Sequence, residues 1–177
     1  CSILENRIGF KIDTMDLEQL NFLPEWDENR FSKRMNRHGE AWKNAPGILA
    51  ARDLYKHWRE LIGLVVAFAE NLADDNDGTH QSSTKSLIYQ NAMIVAPKII
   101  GAVSVESYPL KMENAALIRS NCRQMMEQIN FAVLMGWADE TYKHVIEESL
   151  DQFRQLFRVW VTTFEKDSFD DEWGLFL

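Results

Sequence analysis

Few residues in this chain break a helix: 8 glycines and 4 prolines in 177 positions, gathered at a handful of joints. That sparseness excludes the many short strands and tight turns of a β-sandwich and leaves long helices. Cysteine is scarcer still. Cys1 and Cys122 sit in contexts too different to form a disulfide framework, and Cys122 falls in an apolar stretch as a small hydrophobe. Positive charge is in deficit, with 19 Lys and Arg against 27 Asp and Glu, a net charge of −8. DNA is therefore not an expected partner, because a nucleic-acid surface needs a basic face. No uninterrupted apolar run reaches the roughly 18 residues of a membrane span. Gly-rich phosphate loops, a Gly-x-Ser-x-Gly elbow, Cys-x-x-Cys pairs and a His-Glu-x-x-His run are all missing. No cofactor is implied.

What is present is ordinary globular material, 46% hydrophobic and 26% charged, at a length that suits one domain with one core. Residues 1–46 form an irregular arm. In it Ile8, Phe10 and Ile12 alternate with polar residues, Asp13 can cap a short helix, and Pro24 ends it. Pro46-Gly47 then opens a helix over about 48–73, with the seam Leu54, Trp58, Leu61, Val65, Phe68, Leu72. Steps of four and three residues mark a helix packed lengthwise against others. Asp74 to Gly78 is a turn. It lacks the acidic first and last positions of a calcium loop.

A second helix spans about 84–104, with Leu87, Asn91, Ile94, Lys98 and Ala102 as its stripe, Ile88, Val95 and Ile99 beside it, and Pro97 as a kink. The third, about 110–135, carries the seam Ala115, Ile118, Cys122, Met125, Ile129, Ala132 and ends at Gly136. Asp139 caps the fourth, about 140–166, with the seam Ile146, Leu150, Phe153, Phe157, Trp160, Phe164. The short joint at 136–139 makes helices three and four antiparallel neighbours. The expected fold is all-α: an up-down-up-down four-helix bundle over 47–166, with the arm before it. A tail over 167–177 is expected to pack back on the bundle end.

Three groups of residues are candidates for chemistry. Tyr-Lys-His-x-x-Glu occurs twice, at Tyr55 to Glu60 and Tyr142 to Glu147. His and Glu three apart share a helix face, but neither pair points along its seam, so no metal site is expected. The run Arg52-Asp53-Leu54-Tyr55-Lys56-His57 resembles the Arg-polar-x-x-x-His signature of HEPN ribonucleases, which are also helical bundles. The resemblance covers six residues. It implies metal-independent RNA cleavage, with Arg52 and His57 acting on the scissile phosphate, usually across a dimer. Read as residues alone, the pair decorates the exposed flank of an amphipathic helix, and that reading is adopted. The third group is Asn91, Lys98, Glu113 and Arg119, polar residues on or beside apolar stripes. They are candidates for a ligand pocket near Pro97 or, as the preferred reading, for an ion pair fixing helix register.

The function expected is therefore a non-catalytic interaction or assembly module, with a homo-oligomer or protein partner engaging surface aromatics. Those lying outside the seams are Trp26, Trp42, Trp137, Phe169, Trp173 and Phe176, which serve equally as packing between arm, tail and bundle. The alternatives are the HEPN-like ribonuclease, the one case with an RNA partner, and a small-molecule or metal binder within the bundle. A cytoplasmic location is expected. The opening Cys1-Ser2 is also compatible with a lipid anchor on Cys1.

Overall fold

The computed structural model describes residues 23–27, 45–73, 79–168 and 173–174. They form an all-α four-helix bundle: α1 (Ala45–Glu70), α2 (Thr79–Val103), α3 (Tyr108–Leu134) and α4 (Glu140–Thr162). Each helix packs on its neighbours in ring order, and α4 closes the ring on α1. The α2–α3 pair makes the most extensive contact and the α3–α4 pair the least. The arm before Leu23, the Asp74 to Gly78 turn, Trp42, and the tail residues Phe169, Leu175 and Phe176 lie outside the described residues.

Three of the four seams are the core. The first seam is buried throughout, five residues in α1 and Leu72 just past its end, as are all six seam residues of α3. In α4, Ile146, Leu150, Phe153 and Trp160 are buried, while Phe157 and Phe164 are half-buried against them. Trp58 and Phe153 meet at the centre, ring centroids 5.1 Å apart. Each such side chain removed from water contributes roughly 1.5–3 kcal/mol.

The second helix differs from its sequence reading. It starts five residues earlier, at Thr79, and runs unbroken through Pro97. Its core stripe is Ile88, Ala92, Val95, Ile99 and Ala102, whereas Leu87 and Ile94 are 41% and 38% exposed. The reason is composition. Lys85 and Lys98 are the only Lys, Arg, Asp or Glu in α2, so no charged face opposes the apolar one and the periodicity selects no side. By length and composition His80–Val103 could also cross a membrane. In this fold it is a bundle helix, packed on α1 and α3.

The joints are built locally. Pro46 occupies the first turn of α1, where its missing N–H is harmless. Gly136, at φ +74°, closes α3: its N–H donates to Val133 O (2.9 Å) and the Trp137 N–H to Ala132 O (3.0 Å). This is a Schellman motif, and the Phe131–Trp137 ring contact supplies its apolar component. Asp139 Oδ1 then accepts from the Thr141 N–H (2.6 Å) to start α4. The start of α3 is capped from a distance: the Tyr108 N–H donates to Asp167 Oδ2 (2.8 Å), just beyond α4. Residues 23–27 cross α1, where Tyr55 OH donates to Pro24 O (2.8 Å), Arg59 lies 3.7 Å from Glu25, and Trp26 packs on Tyr55.

Candidate functional site

Arg52 and His57 are both on α1, five residues apart, so helical rotation separates them by about 140°. Arg52 Nε donates to Asp53 Oδ1 (3.2 Å). His57 is half-buried at the α1–α4 seam, where Nε2 donates to the backbone oxygen of Ser149 (2.8 Å) with Ser149 Oγ 3.3 Å away. The imidazole thus ties two helices together.

The two His-Glu pairs sit on different surfaces. His144 Nδ1 is 3.0 Å from Glu147 Oε2 on the exposed side of α4, whereas His57 faces Ser149 and Glu60 is exposed. Among the described residues no three His, Cys, Asp or Glu side chains gather as a metal site.

The four pocket candidates lie on different parts of α2 and α3. Asn91 is buried, and its Nδ2 donates one turn back to Leu87 O (2.8 Å). Lys98 and Glu113 are half-buried and make no ion pair with each other. Arg119 is exposed on α3, lining a shallow surface depression with Ser120, Arg123, Gln124 and Glu127. On α3 it lies about 120° round the helix from Glu113. Buried polar pairing is met within each helix instead: Asn121 Nδ2 donates to Leu117 O (2.8 Å) just as Asn91 does to Leu87.

The internal thiol is unsuited to nucleophilic chemistry. Burial pushes Cys122 up to about 12, against an opposing pull from the Arg154 charge. A cluster that the sequence did not single out joins α1 to α2. Glu70 Oε2 is 2.5 Å from Lys85 Nζ, and Glu70 Oε1 accepts from Tyr89 OH. These bonds to Lys85 and Tyr89 hold the Glu70 carboxyl below the usual carboxylate range. Burial, then the Glu70 carboxylate, raises the Tyr89 hydroxyl. The cluster is exposed at the end of α1 and acts as a tie between helices.

The aromatics outside the seams divide. Trp26 and Trp137 are each 8% exposed and pack within the chain, so they are not free for a partner, while Trp173 is 80% exposed.

The outward face of α2 is the surface that stands out. Ser83, Ser86, Leu87, Gln90, Met93, Ile94 and Pro97 are all exposed and none is charged. The outer side of α4 is the contrast, with Glu140, His144, Glu148, Asp151, Arg154 and Arg158 exposed. No family model, no curated protein and no solved structure matches this chain.

Proposed function

We propose that the chain is a non-catalytic helical-bundle module that assembles with a second copy of itself through the outward face of α2. The observation that carries this reading is the run of exposed, uncharged positions from Ser83 to Pro97, centred on Leu87, Met93 and Ile94. Interface cores are depleted of charge and more apolar than their rims, and Met is among their enriched side chains. Self-association imposes a further condition. In a two-fold interface each residue of the patch meets the same patch on its partner, so like charges would face one another. A chain of net charge −8 meets itself at least electrostatic cost on a face without acids, and α2 has none. The surface aromatics first considered for this role contribute less, since Trp26 and Trp137 are spent on internal packing.

Light scattering over a concentration series tests the proposal. It predicts a mass rising to twice that of the chain. A mass that stays at one chain throughout contradicts it. The ribonuclease reading requires His57 to be available to a phosphate, and its bond to Ser149 O does not favour that. A binder within the bundle lacks a supporting observation: Asn91 bonds within its own helix, and Glu113 and Arg119 lie on different sides of α3.

A further inference from the structure

A second surface, on the other side of α3 from α2, has a different chemistry. The stretch 114–126 of α3 and the stretch 152–162 of α4 each carry two arginines, Arg119 and Arg123, Arg154 and Arg158, against one carboxylate apiece beside them on the same flank, Glu127 and Asp151, so arginines outnumber acids on both flanks. In a chain of net charge −8 this is a local reversal of sign. The pattern is the same on both helices. Arg119, Cys122, Arg123 and Met126 follow one another at steps of three, one and three, and so do Arg154, Phe157, Arg158 and Val161. That spacing sets each arginine pair on one helix flank, alternating with apolar side chains.

The two flanks oppose each other. α3 and α4 are antiparallel across a short joint. At 1.5 Å per residue, Arg119 and Arg123 stand about 23 and 17 Å from it on α3, and Arg154 and Arg158 about 21 and 27 Å from it on α4. The Arg154 charge also reaches the Cys122 thiol between the α3 arginines. This is the least closely packed seam of the ring, and the arginines flank it as the walls of the proposed groove; Arg119 and Arg123 also line, with Glu127, a shallow depression of α3 itself. Cys122 and Met126 lie at the floor of the groove nearly buried, and Phe157 and Val161 half-buried. All four arginines are exposed. Arg154 pairs with Asp151, its neighbour on the same helix, whereas Arg119, Arg123 and Arg158 make no ion pair among the described residues.

We infer that the α3–α4 groove docks an acidic amphipathic helix of a protein partner. Carboxylates four residues apart on a helix recur about every 6 Å along its axis, the same interval as the paired arginines on each wall. Arginine takes a carboxylate bidentately, and an apolar stripe on the incoming helix would cover the floor. A single-stranded nucleic acid fits less well. The aromatic on these flanks, Phe157, has its ring packed against Phe153 and Trp160, so no open platform stacks a base.

The test uses the full chain and two labelled synthetic helical peptides, one with Glu pairs at i, i+4 beside a Leu stripe and one with Gln in place of each Glu. Fluorescence anisotropy is expected to show the Glu peptide binding at least about tenfold more tightly than the Gln peptide, with affinity falling as salt rises. Arg119→Glu with Arg154→Glu is expected to weaken the Glu peptide by about tenfold or more, and so is Arg123→Glu with Arg158→Glu. These positions are exposed, so an unchanged thermal melt checks the fold. No binding, equal binding by both peptides, unaffected variants, or tighter binding of a uridine oligonucleotide of matched charge each overturns the inference. This surface is separate from the α2 face. The arginine variants should keep the mass of the unmodified chain in light scattering, so either proposal can fail without the other.

Discussion

At the scale of single residues, polar side chains in this bundle act chiefly on the backbone and on one another across seams. His57 shows this most clearly. His57→Ala removes the bond to Ser149 O, and a loss of about 1 kcal/mol of stability is expected in a denaturant titration. RNA incubated with the unmodified chain and with the variant should remain equally intact. Cleavage by the former alone would restore the catalytic reading of Arg52 and His57. Glu70 carries a pH signature. Its bonds to Lys85 and Tyr89 place its folded pKa below the unfolded one. Its stabilising effect is therefore present above the ordinary carboxylate range and lost as pH falls through the lowered folded value. Glu70→Gln should cost at most about 1 kcal/mol at neutral pH, less in high salt, and nothing once the pH is below that folded value. Thermal melts of both proteins from pH 7 to pH 3 measure the convergence.

At the scale of the helices, two glycines separate propensity from geometry. A Cβ on Gly63 would meet nothing within 4 Å, so Gly63→Ala in mid-α1 should stabilise by up to about 1 kcal/mol. Gly136 holds φ +74° at the end of α3, and Gly136→Ala should cost roughly 1–2 kcal/mol although space is open there. Paired chemical denaturation curves decide both signs. The helices that the sequence made legible are those whose charges oppose their apolar seam. The seam positions of α1 and of α3 could be read from steps of three and four, and Asp139 and Gly136 from cap chemistry. α2 escaped that logic. With only Lys85 and Lys98 to mark a polar side, the expected face is rotated: Ile88, Val95 and Ile99, placed beside the stripe, are its centre, Asn91 and Ala102 are buried with them, and Leu87 and Ile94 are exposed. Contacts between distant residues were also invisible. Nothing near Tyr108 announces that Asp167, 59 residues on, caps α3, nor near His57 that Ser149 will receive its bond. The arginine flanks of α3 and α4 were written in the sequence, but their meaning depends on which seams adjoin.

At the scale of the molecule, the bundle divides its surface by charge. α4 turns mixed charge outward, four arginines flank the α3–α4 seam, and α2 turns out a face without charge. A ring of four helices needs none of this for stability, since its core is filled by buried side chains such as Trp58, Leu61, Ile118, Ile146 and Phe153. The pairing of two copies through the α2 face is open to direct measurement. Sedimentation equilibrium of the unmodified chain, of Leu87→Glu with Ile94→Glu, and of the outer α4 control Glu148→Arg tests it most directly. The chain and the α4 control are expected to sediment as dimers, and the α2 variant as a monomer with an unchanged helical spectrum. A single common mass for all three proteins would contradict it.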